Sequence, residues 1–367
     1  MSRTDLPLTV KIDAIAFGGE GIARHEGRVY FIPFTAIGDE AEVRVRELKK
    51  NFGRAELVRL ITPGAQRATP PCPYYGPCGG CQYQHLDYAE ELRIKSAQVA
   101  EALTRIGKVG QPNILPIIPS PQTYAYRNRI TVHAGEGKIG FHRAQTREIV
   151  DVARCLIAAP EVNDALTELR RGSRRPESGH FSLRQSGLPP SAFHQVNQFL
   201  LEPLREQVLA WAQGTEDALV EGYCGGGFFT GALAPRFAGV AAIESDQRAL
   251  RDARRIDAPN IRWIEGRVEE VLDSALGEAA QAGGETLVLL DPPREGLAGG
   301  AVAALLNRRP ARILYVSCNP ATLARDVEKL SPAYLLTRNQ PIDLFPRTAQ
   351  IESLTELVRA DRPAPPA

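Results

Sequence analysis

The sequence predicts a multidomain protein: a small N-terminal β-barrel, a central α+β domain and a C-terminal doubly wound α/β domain. Three observations predict it. Short β-branched runs broken by glycines crowd the first segment. Cys72, Cys78 and Cys81 then fall close together, with Cys155 far downstream. From about residue 216 the pattern becomes strand, glycine turn, helix, repeated. A chain of 367 residues also exceeds one ordinary core, so two or three domains are expected.

In chain order, residues 8–12, 28–32, 42–46 and 54–58 have strand character. Gly18, Gly19, Gly27 and Gly38 separate them, which reads as an oligonucleotide-binding type of barrel over 1–62. A proline-rich stretch leads into the cysteines. Residues 90–106 have helical spacing, with Leu92, Val99, Leu103 and Ile106 on one side. Residues 130–133 and 138–141 read as extended and 159–171 as helical, giving a central domain over 63–190. A helix at 199–211 precedes strands at 218–220, 239–243, 261–264, 286–290 and 312–316, in a domain over 191–360. The tail, 361–367, reads as disordered.

Hydrophobic content of 43% and charged content of 24% are those of a soluble globular protein. No apolar run approaches a membrane span, and the N-terminal residues lack the charged-then-apolar layout of a signal peptide. A cytoplasmic monomer is expected. Thiols stay reduced in the cytoplasm, so six cysteines argue for metal binding or catalysis. A net charge of +1 announces no partner, but residues 92–154 hold ten Lys/Arg against four Asp/Glu. Residues 44–59 are similarly basic. Such patches suit nucleic-acid phosphates, although a solvated surface has the same composition.

Three motifs carry chemistry. A strand runs into the glycine turn Tyr223-Cys224-Gly225-Gly226-Gly227, and Glu244 ends the next strand where a carboxylate would bind a ribose diol. Asp291-Pro292-Pro293-Arg294 ends a third strand, again at the ligand-binding edge. Cys318, just after the strand at 312–316, occupies a nucleophile's position rather than that of a small core residue. Cys224 lies inside the glycine turn and is assigned neither metal nor catalysis. Cys72, Cys78, Cys81 and Cys155 form a four-ligand pattern, and their spacing leaves zinc and an iron–sulfur cluster both open.

Together these motifs resemble the RNA uracil-C5 methyltransferases, iron–sulfur enzymes that use S-adenosylmethionine to make 5-methyluridine. The resemblance covers nearly the whole chain. Residues 18–24 and 31–35 look like that family's RNA-binding TRAM barrel, and residues 191–360 its class I, Rossmann-like methyltransferase domain. The cysteine segment with Gln84 and His85 is similar to the family's [4Fe-4S] site, making Cys72, Cys78, Cys81 and Cys155 the ligands. Asp291-Pro292-Pro293-Arg294, Ser317-Cys318-Asn319-Pro320 with Thr322 and Asp326, and Asp343 with Glu352 match its catalytic motifs.

The resemblance implies that Gln195, Tyr223, Glu244 and Asp291 line the methyl-donor site, that Cys318 is the nucleophile and that Glu352 is the base. Arg294 would contact phosphate or the target base. Glu221 stands where the family has Asp, Phe228 where Asn is common, and Arg267 within a less polar pattern. The partner is RNA, with 23S ribosomal RNA favoured and the tRNA T-loop the alternative. A radical iron–sulfur enzyme is disfavoured by the cysteine spacing. A non-catalytic RNA-binding protein with a degenerate methyltransferase domain is disfavoured by the intact Asp291, Cys318 and Glu352.

Overall fold

The computed structural model describes residues 7–172, 176–186 and 196–361. The tail expected to be disordered falls, from 362 onward, outside them, as does Gln195. The chain divides into two units. One comprises residues 1–98, 121–186 and 345–350; the other comprises 99–120, 187–344 and 351–367.

The first unit begins with a closed barrel of β1 (Leu8–Ile15), β2 (Glu20–His25), β3 (Arg28–Pro33), β4 (Glu40–Leu48) and β5 (Phe52–Thr62). β1 pairs antiparallel with both β2 and β4, closing the ring, and alternation along β1 and β4 buries Val10, Ile12, Val43 and Val45 inside. Helix α1 (Tyr88–Arg105) contains the division between the units. The first unit also contains an antiparallel sheet of order β8-β7-β6-β9: β6 (Arg129–Gly135), β7 (Lys138–His142), β8 (Ile149–Asp151) and β9 (Gly179–Arg184). Helix α2 (Pro160–Arg171) lays Val162 and Leu166 against Ile130, Val132 and Ile139, covering one face of this sheet.

The second unit opens with α3 (Leu201–Trp211) and continues as β10 (Ala218–Gly222), α4 (Thr230–Leu233), β11 (Gly239–Glu244), α5 (Gln247–Ala253), β12 (Ile261–Glu265), α6 (Val268–Gln281), β13 (Thr286–Leu290), α7 (Gly299–Arg308), β14 (Arg312–Ser317), α8 (Pro320–Leu330), β15 (Tyr334–Ile342) and β16 (Glu352–Arg359). Its sheet has the order β12-β11-β10-β13-β14-β16-β15, and β16 alone runs against its neighbours. β10 lies where the strand order reverses, between β11 and β13. Ligands of doubly wound sheets bind at the carboxyl ends of the strands at such a point.

The five predicted parallel strands are all present, four of them extended by one or two residues. β2, β15 and β16 carry too little apolar alternation to be read from sequence, and the alternation of β9 rests on Phe181 and Leu183 alone. β16 is the instructive one. It is almost wholly buried, yet it contains Glu352, Ser353, Thr355 and Glu356. Glu356 is compensated by Arg312 at 2.9 Å and Arg338 at 2.9 Å, and Arg312 also pairs with Glu216 at 2.8 Å. Paired charges can occupy an interior that lone ones cannot.

Candidate active site

Every functional side chain proposed in the second unit and described here sits at or beside the carboxyl edge of the sheet. The turn after β10 holds Tyr223 at φ 63, a conformation costly for a non-glycine residue and typical of functional turns. Gly227, at φ 80, holds a conformation that side chains rarely adopt, and a Cβ there would press on the Ile256 side-chain tip at 2.5 Å. Glu244 closes β11. Its Oε1 accepts from the Ser245 and Asp246 N–H groups, each at 2.7 Å, and its Oε2 accepts from Gly225 N–H at 2.9 Å. A carboxylate oxygen has two lone pairs, so Oε2 keeps one for a single ligand hydroxyl while Oε1 is filled by its own turn.

Strand pairing assembles the rest. Ser317 faces Ser353 across the antiparallel β14–β16 pair, which brings Cys318 and Glu352 to the same end. Asp291 follows Leu290, the partner of both Gly222 and Tyr315. In the sequence Glu352 belongs to no assigned element. In the structure it is the first residue of β16, and 2% exposed.

The electrostatics follow from burial. Asp291 is pushed up to about 7 by loss of water. Glu352 rises well above the usual carboxylate range through burial, then through the Asp291 charge, with Arg294 opposing. Burial lifts Glu221 to about 8, Asp291 adds to the shift, and the Thr230 hydroxyl, donating at 2.6 Å, restrains it. The Cys318 thiol is driven up to about 11 by burial, then by Glu352, while Arg294 draws it down. Arg294 opposes these shifts at Glu352 and Cys318, and a positively charged ligand would favour the ionised forms further.

The Thr322 and Asp326 motif acts on the loop. Thr322 Oγ1 donates to Arg294 O at 3.0 Å, and buried Asp326 accepts from Leu297 N–H at 2.7 Å and Tyr315 OH at 3.0 Å. The Asp291–Leu297 loop is thereby fastened to α8. Asn319 caps that helix, accepting from Ala321 N–H at 3.0 Å. Cys224 is buried, and its thiol is raised by burial, then by Glu221 and Glu244. Phe228, standing where the resemblance has Asn, lies under the Arg205 guanidinium at 6.0 Å. Arg267 pairs with Glu269.

In the first unit the four other cysteines sense one another. The charges of Cys155, Cys78 and Cys72 all act on Cys81, and that of Cys78 acts on Cys155. Burial, the larger cause, lifts Cys81 to about 12 and Cys155 to about 11. Among the described residues, no three His, Cys, Asp or Glu side chains gather closely enough to share one metal ion. N–H donors nevertheless reach the sulfurs: Gly80 to Cys78, the buried Gln84 side chain to Cys81, and Ile157 and Ala158 to Cys155. Asn163 braces the Cys155 turn, accepting from its N–H at 2.8 Å and donating to its carbonyl at 3.0 Å. Gly79 is required by close approach, since a Cβ would lie 2.9 Å from His142 O and Ala144 N. Sequence reading missed Asn163 and the donor role of Gln84, which only packing reveals. His85 is held neutral, lowered to about 4 by burial, and joins Thr35 O to the Tyr75 hydroxyl.

Comparison with known proteins agrees with this fold. The barrel matches the TRAM domain model over residues 8–58, and residues 282–360 match the model described as tRNA (uracil-5-)-methyltransferase. An uncharacterised RNA methyltransferase of Bdellovibrio bacteriovorus is 32% identical, the match covering 95% of this chain and 94% of that protein. The 23S rRNA (uracil(1939)-C(5))-methyltransferase of Salmonella typhimurium is 31% identical, covering 95% of each. Among solved structures, the Pyrococcus abyssi tRNA (uracil-54, C5)-methyltransferase in complex with S-adenosyl-L-homocysteine shares the fold, with a TM-score of 0.71 and 24% identity over 95% of this chain and 99% of that one. A TRAM barrel joined to a doubly wound sheet with catalytic-type residues at its edge defines an RNA-modifying methyltransferase. More narrowly, the chain belongs to the RNA (uracil-5)-methyltransferase family.

Proposed function

We propose that this chain transfers the methyl group of S-adenosylmethionine to carbon 5 of a uridine in RNA, and that 23S ribosomal RNA carries the target. The observation that carries the chemistry is the meeting of Cys318, Glu352 and Asp291 at one sheet edge, with the Arg294 charge acting on the first two. The full-length similarity to the Salmonella typhimurium enzyme favours ribosomal RNA, and the family model's name keeps tRNA as the second reading. The target uridine must leave its stack, or lie in a single-stranded loop, to reach Cys318.

Carbon 5 of uracil is too weak a nucleophile to attack a sulfonium directly, and covalent catalysis removes that difficulty. Cys318 loses its proton to solvent, helped by the positive charge of the donor, and its thiolate adds to carbon 6. The displaced electron pair forms an enolate at O4. Carbon 5 then takes the methyl group, and the sulfonium's bonding pair stays on sulfur as neutral S-adenosylhomocysteine. Glu352 removes the proton from carbon 5; the carbon 5–carbon 6 double bond re-forms and Cys318 leaves as thiolate. Tyr223, Glu244 and Asp291 would hold the donor, with one ribose hydroxyl on Glu244 Oε2. Gln195 remains a proposed donor contact on the resemblance alone.

Cys72, Cys78, Cys81 and Cys155 are proposed to hold a [4Fe-4S] cluster. Their mutual electrostatic contact and the N–H donors at three of the sulfurs fit electron-rich thiolates. Buried thiols raised this far favour the protonated form, and a metal would supply the compensating charge that lets them ionise. The cluster would supply a structural cross-link between the segment at 72–81 and the turn at Cys155.

The function is tested by incubating the protein with labelled donor and total RNA from cells lacking the gene, then mapping 5-methyluridine. Label in 23S ribosomal RNA is expected. Label confined to the tRNA T-loop would replace the substrate assignment, and no label in any RNA would overturn the reading.

Donor binding should release protons. Glu221 at about 8 and Asp291 at about 7 are partly protonated near neutrality. A bound sulfonium lowers both, so affinity rises with pH until the free-state carboxyls are ionised. Between about pH 6 and about pH 8 the donor Kd should tighten roughly tenfold or more, since one linked proton is worth up to a factor of ten per pH unit. Calorimetry in two buffers of different ionisation enthalpy reads the released protons directly, and a pH-independent Kd would refute the linkage.

A further inference from the structure

Three of the chain's six histidines lie on one sheet face of the first unit, although they are far apart in sequence. His133 on β6 pairs across the strands with His180 on β9, and Arg129 pairs with Arg184 on the same side. His142 on β7 stacks on His133 with ring centroids 3.9 Å apart. Thr131 and Ser182 complete the face, and both are exposed, as is His180. Helix α2 covers the other face through Val162 and Leu166.

The charge around these imidazoles is one-sided. Arg129 senses Arg184 and Arg127 as like charges, and Lys138 starts β7. Of the acids on adjoining elements, Asp151 on β8 is held by Arg170 at 2.6 Å and by Ile139 N–H, and Glu148 is paired with Arg143 at 2.8 Å. Glu136 lies in the β6–β7 turn and Glu177 precedes β9; neither is among the groups acting on His133, which are His142 and His180. From the β7–β8 turn, the Arg147 carbonyl takes the His142 Nδ1 contact at 3.1 Å.

We propose that this face of the β8-β7-β6-β9 sheet is an RNA-backbone-binding surface whose affinity is set by protonation of His133, His142 and His180 beside Arg129 and Arg184. The partner rests on the RNA-methyltransferase reading. Phosphate complements the standing cations, and each histidine adds a positive charge only when it gains a proton. In the free protein His133 is lowered by burial, then by its two histidine neighbours, so it is largely neutral near pH 7. A phosphate alongside raises it. Binding therefore takes up protons, and affinity grows as pH falls.

The test is fluorescence anisotropy of a labelled single-stranded oligoribonucleotide of mixed sequence, without methyl donor, at constant ionic strength. From about pH 8 to about pH 6 the wild-type Kd should tighten roughly tenfold, and the salt slope should steepen by about 0.7 per phosphate newly neutralised. The chain has three further histidines, so the decisive comparison is with H133Q/H180Q, which should lose most of both effects. If the double variant folds poorly, judged by thermal melting, the exposed H180Q alone should still flatten the pH dependence. A wild-type pH response retained in these variants, or equal proton-linked binding of polyglutamate, overturns the proposal. Methyl incorporation is scored separately: proton-linked RNA binding without any transfer would fail the enzymatic reading alone, while transfer with pH-independent binding would fail this surface alone.

Discussion

Cys318→Ala should reduce methyl transfer by at least roughly 10⁴-fold, the scale on which loss of an enzyme's nucleophile acts. The fold should survive, because Cys318 lies beyond the end of β14 and is only partly buried. Donor binding should also survive, because the turn after β10 and Glu244 are untouched. Calorimetry with S-adenosylmethionine therefore gives the control: near-normal affinity with abolished transfer isolates the covalent step. Cys318→Ser is the stricter variant. It preserves size and hydrogen-bonding capacity but replaces a thiol with a hydroxyl, which scarcely ionises even beside Arg294. Turnover by either variant within tenfold of wild type would remove Cys318 from the mechanism, and an uncatalysed direct attack by carbon 5 would then have to be explained.

The position of Cys318 was legible because its supporting strand is. Residues 312–316 and 286–290 are nearly continuous apolar runs, the pattern of parallel strands covered on both faces, and the residues that follow them must fall at the ligand edge. Glu352 was not legible in this way. Its strand buries Glu352, Ser353, Thr355 and Glu356, and the compensating Arg312 and Arg338 are contributed by β14 and β15. In sequence, such a segment has the polarity of a surface. Only similarity to a family pointed to the carboxylate, and only the antiparallel pairing explains why it meets Cys318. The four cysteines of the first unit stand out by spacing, whereas Asn163 and Gln84, which brace and hydrogen-bond two of them, look like ordinary helix and loop residues. The facing histidines show the same limit. Pairing of β6 with β9 brings His133 to His180, and no local period records a strand register set across so many intervening residues.

Glu352→Gln should separate methyl transfer from release. The amide is close in size to the carboxyl it replaces, but it cannot accept the carbon 5 proton. Addition of Cys318 and capture of the methyl group can still proceed, so RNA should remain attached to the protein. A denaturant-resistant RNA–protein complex is expected on gels, with turnover slowed by about 10²- to 10⁴-fold, the usual worth of general base catalysis. The charge change has a second, opposite consequence. Glu352 is the largest electrostatic contributor raising the Cys318 thiol. Removing that charge brings the thiol down, so adduct formation should begin at lower pH in E352Q than in wild type even while product release stalls. Following adduct yield against pH reads both effects together. A variant that turns over at the wild-type rate, or one that never accumulates adduct in the presence of donor and RNA, would assign the proton to another base, with the adjacent Asp291, itself raised to about 7, the next side chain to substitute.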